Sequence, residues 1–95
     1  MSRSEIDIQA LSEVIAGIQT PEEAKSFLQD LCAPNEIKAM NQRFQVMRLL
    51  CEGRVYTDIM EQTGASTATI SRVKRVLDYG NGALEELIRR TQTLK

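Results

Sequence analysis

The feature that most constrains this chain is the run Tyr56–Leu77, YTDIMEQTGASTATISRVKRVL, in which two short amphipathic segments flank a single glycine. Thr57 and Asp58 open the first segment, whose apolar side carries Ile59 and Met60, with Thr63 partly apolar. Gly64 closes it, and glycine takes the left-handed backbone of a helix C-cap at no steric cost. Ser66 or Thr67 can then cap a second helix, in which Ile70, Val73, Val76 and Leu77 recur at spacings of three and four. Two short helices joined by a three-to-four-residue turn containing glycine form a helix-turn-helix, predicted over about 56–78.

The second helix has two chemically distinct faces. Ile70, Val73 and Leu77 point into a core, whereas Thr67, Ala68, Thr69, Ser71, Arg72, Lys74 and Arg75 cover the other side. Small hydroxyl and methyl groups at the start of a helix, followed by cations, suit the major groove of double-stranded DNA. Thr and Ser bond base edges or phosphates, Ala and Thr methyls touch thymine methyls, and Arg bonds guanine bidentately.

The 95 residues suffice for one domain, predicted to span 1–95. With no Trp, two Tyr and two Phe, the core must be aliphatic. A formal net charge of −1 is low for a DNA binder, but the charge is unevenly placed. Residues 1–31 hold Arg3 and Lys25 against Glu5, Asp7, Glu13, Glu22, Glu23 and Asp30, a net −4 that leaves +3 on the rest. The acidic front is expected to sit away from nucleic acid and the basic end to face it. No apolar run approaches the length of a membrane span, and the beginning MSRSEIDI lacks the apolar stretch of a signal peptide. A cytoplasmic protein with no membrane partner is expected.

Cys32 and Cys51 stand far apart and the chain has no histidine, so the ligands of a tetrahedral zinc site are missing and two reduced thiols are expected. The missing histidine removes the usual general base. No glycine-rich phosphate loop and no paired carboxylates in an apolar patch are evident. The expectation is a non-enzyme with no catalytic residues, no metal and no cofactor.

The rest of the chain reads as helix throughout. Ile8, Leu11, Val14, Ile15 and Ile18 share one side of a helix over about 4–18, with Ser4 as its cap and Gly17 near its end. Thr20-Pro21-Glu22-Glu23 is a capping box with proline in the first turn, and its helix should end near Cys32, before Pro34. A third helix runs from about Pro34 to Glu52 and stops at Gly53. Ile37, Met40, Phe44, Met47 and Cys51, widened by Val46, Leu49 and Leu50, make it apolar on two sides, so it should be buried on two sides. Tyr79-Gly80-Asn81-Gly82 breaks the helix-turn-helix from a last helix over about Ala83–Thr91, and Gln92–Lys95 should fray. An all-α fold of about six helices follows. The unmatched apolar stripes on the first and third helices call for a second copy of the chain.

Three stretches resemble the tryptophan repressor family, in particular its small branch found in Gram-positive bacteria. They are the pattern A-P-N-E-x-x-A-M-x-x-R from Ala33 to Arg43, L-L-C-E-G at 49–53, and G-A-S-T-A-T-I-S-R at 64–72. The resemblance covers about residues 31–78 and implies an all-α homodimer in which helices of the two chains interlock. It puts Thr67, Ala68, Thr69, Ser71 and Arg72 where the family's recognition helix approaches DNA. Arg43 and Arg72 match the arginines that flank the family's bound tryptophan. Three departures stand at that ligand position. Ala33 replaces the family's threonine, Val73 replaces the glycine that leaves room for the ligand, and the segment after Gly53 is one residue shorter.

The leading expectation is a homodimeric, sequence-specific transcriptional regulator, a repressor, acting on an inverted repeat in double-stranded DNA. Two other readings are a helical protein–protein adaptor that has lost DNA binding, and a sensor in which Arg43 and Arg72 hold an unidentified small anionic effector other than tryptophan. Valine in place of glycine puts three more carbons beside the ligand position, and overpacking of this kind costs about 1–3 kcal/mol. Calorimetry is therefore expected to show no saturable tryptophan binding in the micromolar range; a saturable isotherm there would mean that Val73 and Ala33 leave the pocket open.

Overall fold

Thr20, Gly53, Gly64 and Ser66 mark helix ends where the sequence signals put them. The computed structural model describes residues 6–93, and over that span forms six α-helices: α1 (Gln9–Ala16), α2 (Pro21–Leu31), α3 (Pro34–Cys51), α4 (Tyr56–Thr63), α5 (Thr67–Tyr79) and α6 (Ala83–Thr93). No strand occurs among the described residues, so the all-α class with six helices stands as expected. The backbone divides into two compact units, 1–37 and 38–95.

In the first unit, α1 begins later than its apolar periodicity suggests. The expected Ser4 cap lies outside the described residues, and the helix starts at Gln9 because the Asp7 carboxylate accepts the Gln9 N–H at 3.0 Å and fixes a turn there. At the other end, Gly17 and Ile18 donate to Val14 and Ile15 carbonyls at 3.0 and 3.1 Å, a tightened last turn. The start of α2 uses the predicted capping residues. Thr20 Oγ1 accepts from the Glu23 N–H at 3.1 Å, and Glu23 Oε1 accepts from the Gln19 N–H at 2.9 Å, one residue upstream of the usual partner. At the start of α3 the same device is half built. Glu36 Oε1 accepts the Ala33 N–H at 2.7 Å, but Ala33 has no hydroxyl with which to accept in return.

No described side chain of the first unit is fully buried. Ile18, Ala24, Phe27, Leu28, Cys32 and Ile37 are half-buried. Ile6, Ile8, Leu11, Val14, Ile15 and Leu31 are all exposed.

The second unit holds the core. Val46, Met47 and Leu49 of α3, Ile59 of α4, Ala65 of the turn after it, Ile70 and Val73 of α5, and Ile88 of α6 are buried together, with Leu50, Tyr56 and Leu77 packed against them. The third helix was expected to be buried on two sides. Within one chain its burial is confined to the segment Val46–Leu49, while Phe44 stays 40% exposed and Cys51 is exposed. The helix stops where expected. Gly53 takes φ +82°, its N–H reaches Leu50 O at 3.0 Å, and the Arg54 N–H reaches Leu49 O at 3.1 Å, the two bonds of a Schellman motif. Before α6, Asn81 Oδ1 accepts the Ala83 N–H at 3.0 Å, and the helix continues to Thr93, two residues beyond its expected end.

The incomplete cap of α3 generates a prediction. Ala33→Ser supplies the missing acceptor and should stabilise the protein by about 0.5–2 kcal/mol, read as a rise in Tm. An unchanged Tm would show that water already satisfies that first turn.

Candidate nucleic-acid interface

The turn between α4 and α5 is built from backbone geometry and three side chains. Gly64 has φ +74° and ψ +5°, the left-handed region, and its N–H donates to Met60 O at 2.9 Å. Thr63 Oγ1 donates to Ile59 O at 2.7 Å and accepts the Ala65 N–H at 3.1 Å. The Thr63 carbonyl, one of those a helix end leaves without an internal partner, accepts from Gln42 Nε2 of α3 at 3.1 Å. Ala65 is buried, so the turn is pinned from inside and across. Of the two candidate caps, Ser66 serves: its Oγ accepts the Thr69 N–H at 3.2 Å.

α5 then turns a clear apolar side inward. Ile70 and Val73 are buried and Leu77 is half-buried. Thr67, Ala68, Ser71, Arg72, Lys74 and Arg75 are all exposed. Thr69 is half-buried, and its Oγ1 accepts from Ser66 Oγ at 3.2 Å, so its hydroxyl is already oriented by the cap. Val76 belongs to the predicted apolar repeat but is 54% exposed. It lies about 120° around the helix from Ile70, off the buried stripe.

The cations differ in their neighbours. Lys74 Nζ lies 3.4 Å from Asp78 Oδ1, with both side chains about half exposed, a pair that adds little stability. Arg72 and Arg75 have no ion-pair partner among the described residues, and with Val76, Tyr79 and Gly80 they line a shallow depression of about 370 Å³. Arg43 on α3 is exposed and is not among the residues lining that depression. Val73 is turned into the core, so the side chain that replaces the resembled family's glycine packs against this chain's own residues.

Among the described residues no group of His, Cys, Asp and Glu is placed to hold a metal ion, and no helix is long and apolar enough to cross a membrane. Partial burial pushes the Cys51 thiol above its ordinary pKa, the Glu85 and Glu52 carboxylates push it the same way, and Arg89 opposes them. A thiol held protonated is a poor nucleophile. Two residues escape the sequence reading. Gln42 carries no local signal, because its partner lies 21 positions away. Tyr79 does carry one, its position four residues after Arg75, but it lies in the stretch that reads as a helix breaker.

Comparison with known proteins follows the same lines. The family model described as Trp repressor protein matches residues 6–92. The chain is 46% identical over 86 residues to YerC of Bacillus subtilis (strain 168), a protein described as uncharacterized, covering 90% of this chain and 83% of YerC. Among solved structures it is similar to a TrpR-like protein from Eubacterium eligens ATCC 27750, with a TM-score of 0.84, 44% identity and coverage of 93% of this chain and 91% of that one.

The Gln42 bridge can be tested by itself. Gln42→Met keeps the length of the side chain and removes its donor, so urea denaturation should show a loss of about 0.5–1.5 kcal/mol. No loss would mean that the Thr63 carbonyl finds water equally well.

Proposed function

The chain belongs to the Trp repressor family, and from that premise we propose that it is a sequence-specific regulator of transcription, a repressor, that binds double-stranded DNA as a homodimer on an inverted repeat. The observation that carries this reading is α5 itself. Its capped N-terminal turn exposes Thr67, Ala68 and Ser71, its inner side is fixed in the core, and exposed Arg72, Lys74 and Arg75 follow along the helix. In that arrangement Thr67, Ala68, Thr69 and Ser71 meet base edges or the phosphates beside them, and the three cations meet phosphates on the groove walls. The open apolar stripe of α1 supports the dimer, because a second copy is the partner whose chemistry matches it. Two copies of one recognition helix call for two half-sites, hence an inverted repeat.

Selection of bound duplexes from a random pool tests this directly. An enriched inverted repeat is expected, and affinity for it should fall steeply with salt on log–log axes. Lys74→Ala and Arg75→Ala should weaken binding to all sequences alike, each lowering the salt slope by about one. Thr69→Ala should alter the selected sequence, with about 1–3 kcal/mol lost at one position. Absence of any duplex binding would leave an adaptor as the better description, and sedimentation as a folded monomer at micromolar concentration would remove the homodimer.

A further inference from the structure

The outward face of α5 does not stop at Arg75. Residues 68, 72, 75 and 79 are spaced by four, three and four, so they form one row along the helix, opposite buried Ile70 and Val73. Tyr79 ends that row and is 83% exposed, more than any other large apolar side chain described. The depression it lines with Arg72, Arg75, Val76 and Gly80 is bordered by two arginines and by no acidic residue. Its rim is low at Gly80 for a steric reason: a Cβ there would collide with the Val76 carbonyl, so only glycine lets the chain leave the helix at this point. Two cations without ion-pair partners, a phenol and an apolar floor match an anion that carries a compact apolar body.

We propose that this depression seats the sugar-phosphate backbone of duplex DNA, with Arg72 and Arg75 on a phosphate, the deoxyribose against Val76 and the Tyr79 ring, and the Tyr79 hydroxyl donating to the neighbouring phosphate. The proposal rests on the duplex-DNA reading and deepens it by adding Tyr79 and Val76 to the contacts. Helix geometry gives the location. Twelve rises of about 1.5 Å put Tyr79 roughly 18 Å along the axis from Thr67. A major groove is only about 12 Å wide. A helix that enters by its N-terminus therefore carries Tyr79 beyond the base edges, to a place where sugar and phosphate are what remains to be bound. Tyrosine hydroxyls are ordinary donors to phosphate oxygens.

The test compares the intact protein with Tyr79→Phe, Tyr79→Ala and Arg75→Ala. Each is titrated against the selected duplex and an unrelated one over a range of salt, with sedimentation and thermal unfolding run in parallel. Tyr79→Phe should lose about fivefold in affinity on both duplexes, the worth of one hydrogen bond, with the salt slope unchanged because the phenol carries no charge. Tyr79→Ala should lose more, again without a change in slope or in the selected sequence, whereas Arg75→Ala lowers the slope by about one. The proposal is overturned if the intact protein binds duplex DNA while both Tyr79 variants bind equally well, or if a Tyr79 variant alters the selected sequence. A changed sedimentation coefficient in a Tyr79 variant that still unfolds normally also overturns it, because a second copy would then be covering this face. Failure of the intact protein to bind any duplex is a different result, and it removes the DNA reading together with this proposal.

Discussion

The shared burial of Val46, Ile59 and Ile70 is the constraint on which the second unit depends. These are the largest side chains removed completely from solvent, one from each of α3, α4 and α5. None of the three helices can rotate about its axis without exposing its own member. α4 has 8 residues and α5 has 13, lengths at which an isolated helix is marginal in water. Tertiary burial therefore sustains them, and the outward face of α5 is determined by what its inward face must cover. The side chains that meet solvent at Thr67, Ala68 and Arg72 are directed by Ile70 and Val73 behind them.

Charge is distributed so that a nearly neutral chain still presents a locally positive surface. Most ion pairs of the second unit lie off α5: Arg48 with Glu52 at the end of α3, Arg54 with Glu52 and with Asp58 of α4, and Arg89 with Glu85 and Glu86 in α6. These pairs are exposed and contribute little to stability. They compensate Arg48, Arg54 and Arg89, whereas Arg72 and Arg75 on α5 have no carboxylate paired with them among the described residues. Asp78 offsets Lys74 on the same helix.

Much of the fold is legible because the chain marks its helix ends with residues whose chemistry acts locally. Pro21 and Thr20, Gly53, Gly64 and Ser66 each act within a few positions, and each is where the sequence places it. The start of α1 is less legible, since apolar periodicity extends to residues that are not helical and the deciding bond belongs to Asp7. The outward face of α5 is readable from the contrast between Ile70 and Val73 on one side and Arg72 and Arg75 on the other. Bracing of the turn by Gln42 is invisible in the sequence because it depends on a contact between elements far apart in the chain. The exposure of Val76 was hidden for a different reason: spacings of three and four admit it to the apolar repeat, while the angle around the helix puts it outside.

The left-handed backbone at Gly64 also has a genetic consequence. Every glycine codon that changes by one nucleotide to another amino acid acquires a residue with a side chain. Asparagine, the side-chain residue best suited to that conformation, lies two changes away, and only aspartate among the tolerated residues is one step distant. There is open space around Gly64, with only the Gln42 amide 4.0 Å from where a Cβ would sit, so substitution is resisted by the backbone torsion and not by crowding. A mutation there changes no core residue and no residue of α5, and its strain falls on the turn that joins α4 to α5. On the proposed reading of α5 as the helix that meets duplex DNA, such alleles should lose duplex binding in a protein that still accumulates in the cell, a phenotype easily mistaken for damage to a DNA contact.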